Sequence, residues 1–138
     1  MNATEITIEA TVNTDRKKVW DFYTKPEHIT QWNFARDSWQ CPKAENDLRV
    51  GGRYTARMEA KDGSFGFDFG GVYTEVIDQQ KMTYVLGDGR KVSVDFKDLS
   101  TATKVITTFD AETQNPIEMQ QQGWQAILNN FKKYVEGN

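Results

Sequence analysis

Apolar and polar residues alternate at the start of the chain: in "EITIEATV", Ile6, Ile8, Ala10 and Val12 are interleaved with Glu5, Thr7, Glu9 and Thr11. A repeat of two marks a strand with one buried face. The period then changes. In "NTDRKKVWDFYT", Val19, Trp20, Phe22 and Tyr23 gather on one helical side behind the start signal Thr14-Asp15, which predicts a short helix. "TKPEHITQW" carries Thr24 and Glu27 at capping-box spacing with Pro26 in the first turn, and predicts a second short helix ending at Trp32. From Trp39 to Ala111 the period of two returns. Tyr54, Ala56, Met58 and Ala60 hold alternate positions, as do Met82, Tyr84 and Leu86, and then Val92, Val94 and Phe96. The turns "KDG", "IDQQK", "GDG" and "DLST" between these runs are short enough for antiparallel hairpins, so a meander is the simplest topology.

The last segment, "NPIEMQQQGWQAILNNFKKYVEGN", reads as one long helix with Asn115 as cap, Pro116 at the first position and Gly137 beyond the end. Ile117, Gln121, Trp124, Leu128, Phe131 and Val135 recur every three or four residues, and about 21 helical residues span roughly 30 Å. No linker, repeat or composition break divides residues 1–138, which predicts one α+β domain: strand, two short helices, strands, long helix. A curved antiparallel sheet wrapped around that helix leaves a hollow wherever the facing side chains are small.

One strand poses a register problem. In "SFGFDFGGVYTEV", Phe65, Phe67 and Phe69 alternate with Gly66, Asp68 and Gly70, but unbroken alternation puts Val72 and Val76 on the opposite face. Either both faces are partly covered, or a bulge at Gly70-Gly71 exchanges them and keeps Phe67, Phe69, Val72 and Val76 all inward. Asp68 is then expected to face water.

Composition narrows the function. Seventeen basic against twenty acidic side chains leave a formal charge of −3, which gives no general attraction to phosphate backbones, so nucleic acid is not an expected partner. No apolar run reaches bilayer length and "MNATEITIEA" lacks the features of a secretory signal, so a cytoplasmic location without membrane insertion is expected. His28 is the only histidine, which rules out a His-rich metal site; no metal or cofactor is expected. His28 is read as a solvent-facing residue, Cys41 as a small buried hydrophobe, and Arg49, Arg53 and Arg57 as outer-face charges. "VGGRY" lacks the spacing of a phosphate loop.

Several segments, in order, carry a family resemblance: "VNTDRKKVWDFYTKPEHITQW", "LRVGGRY", "DG" before "FGGVYTEV", "KMTYVL" and "GWQAILNNFKKYVE". Together they resemble the START-like (SRPBCC) superfamily, in the branch named after the domain that activates the ATPase of a heat-shock chaperone. The resemblance implies a helix-grip fold, with a cavity that in many relatives holds a hydrophobic small molecule. Activities in the superfamily range from lipid and polyketide binding to cyclisation and co-chaperone work, so fold does not name function.

The aromatic excess favours binding. Trp32, Phe34, Trp39, Phe67, Phe69, Tyr84, Phe96 and Trp124 are the expected ligand contacts, joined by Met119, Gln120 and Gly123 on the long helix. Tyr84, Gln120 or an acid would fix orientation. Gly123 is unusual, because glycine inside a helix costs about 1 kcal/mol relative to alanine; either a close backbone contact or room for a ligand would account for it. The leading expectation is a binding protein for a flat, lipophilic molecule, aromatic or lipid-like, with no catalytic residue assigned. The alternatives are a chaperone-associated interaction module, or a cyclase- or hydrolase-like enzyme using Asp68, Glu75 or His28.

Overall fold

A computed structural model describes residues 4–138. Strand β1 (Glu5–Val12) leads into helices α1 (Arg16–Thr24) and α2 (Pro26–Trp32). Six strands follow: β2 (Trp39–Asn46), β3 (Arg53–Ala60), β4 (Gly66–Ile77), β5 (Lys81–Leu86), β6 (Lys91–Asp98) and β7 (Thr103–Asp110). The chain closes with α3 (Ile117–Glu136). All seven strands form one antiparallel sheet in the order β1-β7-β6-β5-β4-β3-β2. The meander is therefore as expected, with β1 added beside β7 so that β1 and β2 are the edges. The sheet curls around α3 in the helix-grip arrangement.

Local chemistry explains the short helices, with one difference from expectation. Asp15 caps α1 by accepting from the Lys18 backbone N–H at 2.9 Å. The capping box at α2 does not form. The Thr24 hydroxyl donates back to the Trp20 carbonyl at 2.8 Å, and Lys25 takes the cap position without a side-chain hydrogen bond, so Pro26 alone shapes the start of α2. These helices close one end of the curl: Val19, Trp20, Ile29 and Trp32 are buried with Phe131 and Val135 of α3.

The long helix runs 20 residues and starts on Pro116 as its cap rather than on Asn115. Its inward row is Gln120, Leu128, Phe131 and Val135, so Gln120 rather than Gln121 turns inward, and Ile117 is exposed. What positions α3 is the unpaired edge of β1. Gln125 Nε2 donates to the Glu9 carbonyl at 3.0 Å and Lys132 Nζ to the Thr11 carbonyl at 2.5 Å, while Glu136 accepts from the Asn13 backbone N–H at 2.9 Å. Three side chains of the helix thus satisfy backbone groups that an edge strand would otherwise present for pairing with another chain.

Of the two alternatives for β4, the Gly70-Gly71 bulge does not form. Alternation runs unbroken through the glycines: Phe67, Phe69, Gly71 and Tyr73 lie on the concave side, and Val72 faces outward. The extra residue is Thr74, between the pairs Tyr73↔Tyr84 and Glu75↔Thr83, and it returns Val76 to the core side. The glycines have another task. A Cβ on Gly70 would collide with the Tyr54 carbonyl and one on Gly71 with the Val85 carbonyl, so the tight coiling of β3, β4 and β5 requires both positions to be bare.

Two outcomes follow for stability. Gly71→Ala is expected to cost about 2 kcal/mol in urea unfolding, because the added methyl meets backbone rather than a yielding side chain. Removing the clamp with Gln125→Ala and Lys132→Ala is expected to cost about 1 kcal/mol per position, read by the same measurement.

Candidate functional site

The helix lies along β1 and stands off from the β3–β4 wing of the sheet. Trp124 bridges the gap: its ring stacks on Phe109 of β7 at 3.8 Å and meets Phe69 of β4 edge-on at 5.7 Å. The space beside it is a cavity of about 150 Å³. Met58, Phe67 and Phe69 form its wall on the wing, and Trp124, Ile127 and Leu128 form its wall on α3. Ile8 and Thr107 contribute from β1 and β7, Trp32 and Asn33 from the end of α2, and Tyr23, Tyr54 and Tyr84 supply three phenols. Phe67 is 40% exposed, so the cavity reaches the surface beside it. An apolar hollow of this volume accommodates a benzene-sized molecule.

Not one of these lining residues is a carboxylate, a cation, a histidine or a thiol. The ionisable groups in the cavity are phenols, and burial holds them neutral. Burial pushes the Tyr54 and Tyr84 phenols well above their ordinary value, and pushes Tyr23 up to about 12 against a smaller opposing pull from the Thr107 hydroxyl. Tyr54 Oη accepts from Asn33 Nδ2 at 3.1 Å, and outside the cavity Tyr73 Oη donates to Asn46 Oδ1 at 2.7 Å.

The expected contacts divide into two groups. Trp32, Phe67, Phe69, Tyr84 and Trp124 converge on the cavity. The other six are not among the lining residues. Phe96 is buried under Trp20 and Tyr23, with ring centroids at 5.0 and 5.4 Å. Phe34 lies in the loop after α2, where its carbonyl and that of Trp32 accept from Asn130 Nδ2. Trp39 packs with Phe65 and Phe67 at the open end of β2–β4, at 6.0 and 6.1 Å. Met119 is 58% exposed on the first turn of α3. Gln120 is buried but turned away from the cavity: its amide donates to the Glu112 and Asn115 carbonyls and accepts from the Glu112 N–H, which ties down the loop before α3 and commits both of its donors. Gly123 lies one turn before Ile127 on the same side of α3, and a Cβ there would meet nothing within 4 Å. The close-contact explanation for this glycine is thereby removed.

The three candidate acid–base groups are also outside the cavity. Asp68 faces solvent as expected, 3.7 Å from Arg57 Nη1, and Glu75 pairs with Lys81 at 3.4 Å on the outer face. His28 is half-buried rather than solvent-facing: it stacks on Phe22 at 3.9 Å and shares a 2.9 Å hydrogen bond with the Tyr134 hydroxyl. Cys41 is buried as expected, and burial raises its thiol pKa. Among the described residues no group of His, Cys, Asp and Glu could hold a metal. No helix among the described residues is long and apolar enough to cross a membrane.

Sequence reading missed Ile8, Tyr23, Asn33, Tyr54, Met58, Thr107, Ile127 and Leu128 of the lining. Tyr54 and Met58 were accessible, since they share the inward stripe of one alternating run. Asn33 carried no such signal, because its position depends on where α2 stops.

A curled antiparallel sheet gripping a C-terminal helix over an apolar cavity defines a START-like (SRPBCC) protein. Within that class the chain belongs to the family described as Activator of Hsp90 ATPase homolog 1-like protein, whose model matches residues 13–136. It is similar to the solution structure of the AHSA1-like protein from Aeromonas hydrophila, at 44% identity over 97% of this chain and 93% of that one, with a TM-score of 0.91. It is also similar to Chr148 from Cytophaga hutchinsonii, at 48% identity over 97% and 93% of the two chains and a TM-score of 0.84. Protein CV1439 from Chromobacterium violaceum shares the fold at 22% identity, 98% and 99% coverage and a TM-score of 0.86. No curated protein matches the chain.

The phenols give a pH dependence of known sign. Their protonated form is favoured by folding, so the stability they contribute is intact below the ordinary phenol value of 10.0 and is lost as the pH rises from there towards 12. Phenolate absorbance from Tyr23, Tyr54 and Tyr84 is therefore expected to appear together with loss of circular dichroism, not before it. At Gly123, alanine is expected to raise stability by up to about 1 kcal/mol in thermal unfolding, since nothing opposes the methyl.

Proposed function

We propose that this protein binds a flat, lipophilic small molecule, aromatic or lipid-like, in the cavity between the sheet and α3. The observation that carries the reading is the lining itself: rings and aliphatic side chains with a few buried hydroxyl and amide groups, and no charged residue. Apolar burial supplies the affinity, roughly 25 cal/mol per Å² before ordering costs. The volume admits one ring, so a larger ligand extends outward past Phe67 or parts the wing from α3. The bare position at Gly123 keeps the helix side of that route clear.

Native mass spectrometry of freshly purified protein, followed by nuclear magnetic resonance titration with a lipophilic library, tests the proposal. Co-purified or added ligand is expected to shift the resonances of Trp124, Phe69 and Tyr84. Ile127→Trp, which fills the cavity from the helix side, is expected to weaken binding about tenfold or more. A silent library, or binding unaffected by Ile127→Trp, would sink the idea.

A chaperone-associated role is the second reading, favoured by the family description and by the exposed rings at the open end of β2–β4. Phe65 there is 62% exposed beside Trp39. Failure of the protein to alter chaperone ATPase activity, with or without Phe65→Ser, would remove it.

A further inference from the structure

The cavity is apolar but not featureless. The rings of Tyr54 and Tyr84 lie 5.7 Å apart in its lining. Tyr84 is only 5% exposed, and its hydroxyl has no hydrogen-bond partner among the described residues. No fully enclosed side-chain nitrogen or oxygen among them lacks a partner, so the Tyr84 hydroxyl is reached from the cavity that it lines. Tyr54 complements it. Its oxygen already accepts from Asn33, so what remains to offer is its proton. Two phenol donors therefore sit in a nearly dry site without acceptors among the described residues, an arrangement that costs free energy until something accepts from them.

The charge of the acceptor is set by what surrounds it. A carboxylate or phosphate would enter a site whose lining holds no lysine, arginine or histidine, and would lose its hydration without a counter-charge. A neutral oxygen loses far less. Burial also keeps both phenols protonated far beyond neutral pH, so each remains a donor under ordinary conditions.

Resting on the cavity reading above, we infer that the ligand carries a neutral carbonyl (ketone, ester or amide) on or beside its buried ring, and that Tyr84 and Tyr54 donate to that oxygen. The two tyrosines then select among lipophilic molecules, a task that the apolar walls cannot perform.

Three single-ring probes of similar size separate the possibilities: acetophenone, ethylbenzene and benzoate, titrated by nuclear magnetic resonance into the wild-type chain and into Tyr84→Phe and Tyr54→Phe. Acetophenone is expected to bind about fivefold tighter than ethylbenzene, with benzoate weakest. Tyr84→Phe is expected to erase most of the ketone's advantage over ethylbenzene. Since the Tyr84 hydroxyl has no partner among the described residues, this variant is expected to keep its fold, which thermal unfolding followed by circular dichroism verifies. Equal binding of ethylbenzene and acetophenone, tight binding of benzoate, or a ketone preference that survives both substitutions would overturn the carbonyl inference alone. Silence from all three probes would overturn the cavity reading and this inference with it.

Discussion

Everything in this molecule follows from where the long helix is held. A sheet with open edges must cover them, and here α3 covers one by reaching over β1 with Gln125 and Lys132 to the carbonyls of Glu9 and Thr11. Lys132 also lies 2.6 Å from Glu136, whose carboxyl is held below its usual range by that lysine first and by the Asn13 N–H second. Beneath these polar contacts Leu128, Phe131 and Val135 drive into the core. The clamp is one-sided, and that asymmetry creates the site.

With α3 committed to β1, the β3–β4 wing is left apart from the long helix, and only the short helix α2 reaches that half of the curl, at β2. Trp124 crosses to the wing, lying flat on Phe109 and presenting its edge to Phe69. Tyr54 and Tyr84 stand in the space left over, and their hydroxyls give an otherwise greasy hollow a direction. The glycine pair of β4 belongs to the same geometry: without side chains at 70 and 71, neighbouring strands approach closely enough for the wing to curl back towards the helix.

Most of the architecture was legible because it rests on periodicity. Alternation placed β1, β3, β5 and β6, and the three-to-four spacing of Trp124, Leu128, Phe131 and Val135 placed α3; β2 and β7 were covered only by the general strand-and-turn reading of Trp39 to Ala111. What the pattern could not supply was contact across the fold. Gln120 looked like a free amide facing a ligand, and only the loop at Glu112–Asn115 shows that both of its donors are engaged. Phe96 and Phe69 are indistinguishable as inward rings on alternating strands, yet one lies under the short helices and the other faces the gap. The β4 register stayed open for a similar reason: glycine is the usual suspect for a bulge, but the displaced residue is Thr74, fixed by pairing with β5.

The one-sided clamp also divides the chain by evolutionary freedom. Met58, Phe67 and Phe69 take no part in the hydrogen bonds that hold α3 to β1, so exchanging them reshapes the cavity wall while the helix stays seated. The shape of that wall can therefore drift by substitutions on two neighbouring strands without first having to rescue a weakened fold.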